Sequence, residues 1–544
     1  MRGFSIHVVA VALSLSIAPG RAIGNAPPQV PLAANGGRPR SRGNPLNNQF
    51  KEYIDLVRED LHVPGLSIGV VDGDETYLEG YGNARLDPDV KVIPDTLFYI
   101  GSISKAITAA SLLYVLESTT NTSHPVTLES RIHDLIPDDF ILSDEYATLH
   151  ATLKDALCHR LGYPRHDMSY GGPGFTVKDA VRLLRHLPMT KELRQEFQYF
   201  NYGYMIAHHV AATLSGKPFS DILQEAVFGP LGMSSTTVNL KHATQNLAIG
   251  YGFNNVTKQL HEQPWWDTNL IGPGGVITSA RDFTKYIRAM INQGLPLSKD
   301  SQDALITPLI VESPLASVHQ SHALYATGWA VTYYRGRRLI THNGGLPGFT
   351  AITGYLPDYK WGAVVATNGD IHGTFASEAA FYRLLDDFLD VSSHDRTDVI
   401  SQYDGYMQGK YNKYVNAREI FFPDVPKPGL PHALPLEEYS GTYFHPGYRN
   451  ITFVVTDPAD YLPIAETTKK VLHGSNQHEW NVVFDLEHVS GEHFIAFANS
   501  EMGSPMLQEV TTAEFVVGPD GKVSRLGVVI EPALAENIWF DKIV

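Results

Sequence analysis

The sequence predicts an α+β domain followed by a smaller all-β domain, on three observations. Alternating apolar stretches occur soon after the N-terminal region and return from residue 328 onward, while the stretch between is dominated by helical spacing broken by Gly/Pro loops. Beyond residue 436 only short alternating segments separated by turn residues remain. Strands first, helices next and strands last gather both ends of the first domain into one antiparallel sheet flanked by a helical subdomain.

Taken in order, residues 1–22 combine Arg2, an apolar stretch over 8–17 and small residues near 18–22, the pattern of a secretory signal peptide and too short for a membrane span. Secretion to the extracellular space is the expected localisation. Residues 23–48, rich in Pro, Gly, Asn and Arg, read as a flexible lead-in. Tyr53, Ile54, Val57 and Leu61 share one helical face, and the segments 66–71 and 76–81 alternate around Asp72-Gly73-Asp74 as a hairpin. Strand character resumes at 329–334, 338–341, 349–356 and 362–366, and a helix over 377–389 closes a domain spanning 49–394. Residues 395–435 are polar and Pro-containing and read as a linker. The remaining domain, 436–544, has the strand spacing of a sandwich or barrel.

Composition narrows the function. The chain has 544 residues, 43% of them hydrophobic and 18% charged, enough for two or three sizeable cores. Its net charge of −16 disfavours nucleic acid or an anionic membrane as the main partner. Cys158 is the only cysteine, which excludes an internal disulfide, and its apolar surroundings predict a buried, inert thiol. No metal or other cofactor is expected: there is no His-Glu-x-x-His spacing and no Lys-bearing phosphate loop. Sequons at Asn121, Asn255 and Asn450 are candidate glycan acceptors.

The most informative local feature is Ser102-Ile103-Ser104-Lys105. On a helix, residues at i and i+3 share a face, so a helix starting near Ser102 aims a hydroxyl and an amine at one point. A serine hydroxyl needs a base, and a desolvated lysine with a lowered pKa can be that base. The residues that follow, from Ala106 to Val115, are apolar nearly all round and predict burial rather than a solvated surface helix. Two further segments can complete such a site. In Tyr199-Phe200-Asn201, a phenol whose pKa is depressed by a neighbouring ammonium can shuttle protons, and the Asn201 amide can hold a substrate carbonyl. In His342-Asn343-Gly344-Gly345 the glycines admit close backbone approach, and a free N–H there can form an oxyanion hole with that of Ser102. Each segment alone is weak, since Tyr-x-Asn recurs at Tyr81, Tyr414 and Tyr448 and His-x-Gly at His445.

Together, in the order Ser-x-x-Lys, Tyr-x-Asn, His-x-Gly, these segments resemble the serine β-lactamase and penicillin-binding-protein superfamily, specifically its class C β-lactamase-like branch of esterases, D-aminopeptidases and acyltransferases. Val63-Pro64-Gly65-Leu66, residues 152–162 around His159, Pro230-Leu231-Gly232-Met233, residues 274–282 and Gly328-Trp329 are similar as well. The stretch Glu438 to Tyr443 resembles the lipocalin-like barrel appended to some members. The resemblance implies a β-lactamase/transpeptidase-like domain with a C-terminal β-barrel, Ser102 as nucleophile, Lys105 and Tyr199 as the proton-handling pair, and Asn201 as a substrate contact. It also places His342 where many relatives have a lysine, with Gly344 in the same motif and the Gly345 N–H in the oxyanion hole. Phe200 and Leu161 stand where relatives often carry small or hydroxyl residues. His342 weakens the case for a dedicated β-lactamase, because a neutral imidazole grips a carboxylate less firmly than an ammonium. The expected function is a serine hydrolase acting on a small-molecule ester, amide or peptide through a Ser102 acyl-enzyme. An acyltransferase and a non-catalytic penicillin-recognising protein are the alternatives. Residues 163–175 and 254–266 are expected to line the entrance.

Overall fold

Period-2 alternation decides where strand Gly65–Asp72 sits, because both of its faces are apolar and all but its last residue are buried. Leu66, Ile68 and Val70 point into a core shared with helices Asn48–Asp60 and Ile371–Phe388. On the other face a Cβ at Gly69 would lie 2.4 Å from the Thr284 side chain, so helix Ala280–Asn292 packs directly on the strand. This strand is therefore central. In the computed structural model it pairs antiparallel with Glu75–Arg85 on one side and Trp361–Thr367 on the other. The full sheet has nine strands, running outward from Trp361–Thr367 through Phe349–Leu356, Arg337–Leu346, Ala330–Tyr334 and Ala323–Tyr325 to Ile310–Ser313, with Val90–Lys91 at the opposite edge. Every pairing is antiparallel, as the sequence predicts.

The structure describes residues 43–543 except 173, 244, 266–267, 269–270, 318, 461, 465–469, 477 and 501–508. The proposed signal peptide and most of the 23–48 lead-in lie outside the described residues. The helical subdomain surrounds helix Ser104–Ser118, whose residues are nearly all buried, with helix Tyr202–Ser215 packed along it. Cys158 follows helix Leu153–Leu157, fully buried, and burial pushes its thiol up to about 12, which matches the expected inert role.

The segment expected to be a linker is largely helical, as Val399–Val415 and Ala417–Phe421. Its aromatic and basic residues recur at helical spacing and find partners on both domains. The Tyr403 hydroxyl lies 3.1 Å from His372 Nδ1 of the first domain, while the Tyr414 ring sits 5.0 Å from Phe497 and Lys413 pairs with Glu509 at 3.0 Å in the second. Beyond it, eight antiparallel strands from Gly441–His445 to Ile538–Lys542 close into an up-and-down barrel, the last strand pairing with the first. Tyr443, Phe453, Phe484, Phe494, Phe515 and Phe540 belong to its buried core. Closure leaves no open edge. Among the described residues no helix is long and apolar enough to cross a membrane.

Candidate active site

Ser102 lies in a single 3₁₀ turn, Gly101–Ile103, immediately before helix Ser104–Ser118, and is 5% exposed. Lys105, on the first turn of that helix, is fully buried. Its Nζ is 2.9 Å from Ser102 Oγ, 2.7 Å from Asn201 Oδ1 and 2.9 Å from the Pro273 carbonyl oxygen. Burial holds the lysine well below its ordinary pKa, and the Arg165 guanidinium pushes it further in that direction. In its neutral form the amine has two N–H donors and one lone pair; Asn201 Oδ1 and Pro273 O can only accept, so in that form they take both donors and the lone pair is left for the Ser102 hydroxyl.

The orientation of the Asn201 amide is fixed by its other end. Its Nδ2 donates to Asp167 Oδ1 at 3.2 Å and to Tyr170 Oη at 3.0 Å. Asp167 also accepts from the Tyr170 hydroxyl and from Arg165 Nε. With every polar atom of the amide engaged, Asn201 in this arrangement holds Lys105 rather than standing free for a substrate carbonyl. Arg165, Asp167 and Tyr170 were not among the residues picked from the sequence, because a carboxylate between an arginine and a tyrosine in a loop has no spacing signature.

Tyr199 is placed as expected but its electrostatics are not. Lys105 Nζ and the Arg165 guanidinium lie 4.8 and 4.9 Å from its ring centroid, and the His159 ring is 4.4 Å away. Burial nevertheless raises the Tyr199 pKa, against opposing contributions from Ser102 and Arg165. The expectation of a depressed phenol pKa is therefore corrected, since desolvation of the phenolate outweighs nearby charge. Phe200, the departure from relatives, fills the core, stacked between Tyr163 and Tyr202 at 5.2 and 5.1 Å.

Strand Arg337–Leu346 brings the third motif alongside. The two-residue turn Pro347-Gly348 makes Leu346 and Phe349 the closing pair of the hairpin, so Gly345 turns its N–H to the opposite edge. That edge is free past Thr341, where pairing with Ala330 ends. It faces Ser102: a Cβ at Gly344 would come within 2.6 Å of the Ser102 nitrogen, and one at Gly101 within 2.4 Å of the Gly345 nitrogen. Only glycine allows this approach. The backbone around Ser102 and that around Gly345 are thus packed directly against each other beside the nucleophile candidate. His342 is buried, with Nε2 3.0 Å from the Tyr325 hydroxyl, and burial together with Lys105 lowers its pKa to about 3. It is a neutral imidazole.

A cavity of about 540 Å³ opens beside Tyr199 and His342. Pro164, Arg165, Asp167 and Met168 of the 163–175 segment line it, whereas among the described residues none of 254–265 does. The latter segment instead runs through the hairpin Gly250–Asn254 and Gln259–Gln263, and Trp265 packs against Tyr99 at 4.6 Å. Glu312 and Glu378 also line the cavity, and burial raises their pKa values to about 7 and about 8. One wall is contributed by Ile530 to Ala533 of the barrel domain. Among the described residues no group of three or more His, Cys, Asp or Glu side chains is arranged to hold a metal ion.

Comparison with known proteins identifies the family. The Beta-lactamase family model matches residues 50–387, and a Domain of unknown function (DUF3471) model matches 425–542. The chain is similar to Unguisins hydrolase ungD of Aspergillus violaceofuscus, 33% identical over 93% of this chain and 92% of that protein. It is likewise similar to Unguisins hydrolase ungD' of Aspergillus campestris, 31% identical over 92% of each. Among solved structures, D-amino acid amidase from Ochrobactrum anthropi superposes with a TM-score of 0.51 at 22% identity, covering 63% of this chain and 98% of that one. The chain therefore belongs to the beta-lactamase family of serine hydrolases, carrying a C-terminal eight-stranded barrel.

Proposed function

We propose that the protein hydrolyses an amide or ester bond through an acyl-enzyme on Ser102, with Lys105 as the base. The observation that carries this reading is the fully buried Lys105 amine, its Nζ 2.9 Å from Ser102 Oγ. Ser102 Oγ attacks the substrate carbonyl as its proton passes to Lys105, and the tetrahedral oxyanion forms against the Ser102 and Gly345 N–H groups. Tyr199, neutral because burial raises its pKa, donates its proton to the departing nitrogen or oxygen and is reprotonated through Lys105. The C–N or C–O bond breaks, leaving Ser102 acylated. Water then attacks the ester, losing its proton to the same pair, and the acid leaves with Ser102 restored. Hydrolysis is in keeping with the unguisins hydrolases that the chain resembles, and an amide substrate with the D-amino acid amidase that shares its fold.

Intact-mass spectrometry of the protein and of Ser102→Ala, after brief exposure to a short-chain ester, a D-amino-acid amide and a penicillin, tests the reading. A transient adduct on the wild type alone is expected, with the amide turned over; an equal adduct on both proteins would falsify it.

We also propose secretion, resting on the Arg2 and 8–17 pattern. Glycans at Asn121 and Asn450, both exposed, belong to this proposal, with Asn255 half-buried. An N-terminus found near residue 22 and a mass loss on endoglycosidase treatment are the expected outcomes.

A further inference from the structure

The five residues His166 to Tyr170 form a turn with two sides, and the side away from the nucleophile rests on the barrel domain. The His166 N–H donates to Glu531 Oε2 at 2.8 Å. Its Nε2 lies 2.9 Å from the Pro188 carbonyl oxygen, which can only accept, so Nε2 carries the ring proton. Nδ1 is then an acceptor, and the Tyr448 hydroxyl donates to it at 2.5 Å. Further along, His478 Nδ1 lies 2.9 Å from the Met168 carbonyl oxygen, and the Trp480 ring meets Tyr170 edge-on at 5.0 Å. His166 has φ +49°, a left-handed conformation that residues with a Cβ avoid unless the surroundings hold them there. The groups that hold it, Glu531 and Tyr448, both come from the barrel and are almost fully buried. Glu531 is braced in turn, its Oε1 accepting from the Ala533 N–H at 3.1 Å.

The other side of the same turn carries Asp167, which orients Asn201, which takes one of the two donors of Lys105. Hydrogen bonds therefore tie the barrel to one side of a strained turn and the other side of that turn, through Asn201, to Lys105. We propose that the barrel is part of the catalytic apparatus, and that Glu531 and Tyr448 are positioning residues that clamp the 166–170 turn so that Asp167 and Asn201 hold Lys105 ready to accept the Ser102 proton. This rests on the acyl-enzyme reading above. Lys105 is faced by Asp167 from this turn and Arg165 just before it, Tyr199 and Tyr204 from the segment entering helix Tyr202–Ser215, His159, and His342. Only the first two move if the clamp is released. Loosening them admits water to the amine, which relieves its desolvation and raises the pH needed to keep it neutral.

The test is the pH dependence of kcat and kcat/KM for a short-chain aryl ester, measured on full-length wild type, Glu531→Ala, Tyr448→Phe and Lys105→Ala, with near-ultraviolet circular dichroism to establish native packing. Both clamp variants are expected to lose kcat about tenfold at neutral pH with little change in KM. Their acidic limb is expected to move to higher pH by about one unit, so that activity recovers in alkaline buffer. A purely structural clamp would lower the yield or the melting temperature and leave the limb of the folded enzyme unmoved; that result overturns the proposal. Tyr448→Phe deletes a single hydroxyl and keeps the ring, so it decides the matter if Glu531→Ala does not fold. If instead Lys105→Ala keeps the wild-type rate and limb, the acyl-enzyme reading itself fails, and the clamp fails with it.

Discussion

Asn201 Oδ1 accepts a hydrogen bond from Lys105 Nζ at 2.7 Å, so a residue expected to touch substrate is engaged by the proposed base. Replacing it with aspartate puts a carboxylate against the amine. Asn201→Asp is expected to stabilise the ammonium, move the acidic limb of kcat/KM upward and reduce the rate at pH 7 by about 100-fold. A rate profile between pH 5 and 10 checks this, and an unmoved limb refutes it.

Tyr199 is assigned proton delivery to the leaving group, and leaving groups differ in their need for it. An amine must be protonated to depart, whereas an activated phenolate leaves unaided. Tyr199→Phe is therefore expected to lower kcat/KM for an anilide by about 10²–10³-fold and for a nitrophenyl ester by far less. Parallel steady-state kinetics on the two substrates make the comparison, and equal losses on both would remove the assignment.

His342 stays neutral through the working range, since burial and Lys105 lower its pKa to about 3. His342→Lys puts a cation at this position, and the expected result is a KM for penicillin lower by about tenfold through a charge-assisted contact with its carboxylate. A neutral ester serves as the control and should not share the gain.

Glu378 links the cavity to stability. Its pKa is raised by burial from 4.5 to about 8, so the folded state binds a proton the unfolded chain has released. This contribution is complete below the unfolded pKa and is lost as pH rises through the folded one. At about 1.4 kcal/mol per unit the shift sets a ceiling of about 5 kcal/mol. Chemical denaturation is expected to show wild-type stability declining from pH 5 to pH 9 and Glu378→Gln declining less; identical slopes would show that Glu378 titrates normally.

Much of this architecture was legible in the sequence because it depends on local pattern. The alternation of 66–71 and 349–356 and the all-round apolarity after Lys105 read correctly as strands and a buried helix. Ser102, Lys105, Tyr199 and His342 could be found because motif spacing marks them, and the structure brings them together. Asp167 and Arg165 could not, because what matters is a contact with Asn201 and Tyr199 across the fold rather than any periodicity. The sign of the Tyr199 shift was missed for the same reason: neighbouring charge can be guessed from sequence, but the depth of burial that outweighs it cannot. Residues 399–421 read as linker because their net polarity hid an aromatic face that has partners only once both domains exist.

The register Leu66↔Thr367 through Asp72↔Trp361 joins the first strand of the sheet's core to one near the end of the domain. During synthesis the strand 65–72 emerges early and forms its hairpin with 75–85, yet its other edge stays unpaired until residue 367 has left the ribosome. For that interval an apolar strand with a bare row of amides is unpaired, the kind of edge that invites edge-to-edge association. Assembly of the nucleophile's pocket is correspondingly a late event, because Gly344 and Gly345 arrive on the same returning strands.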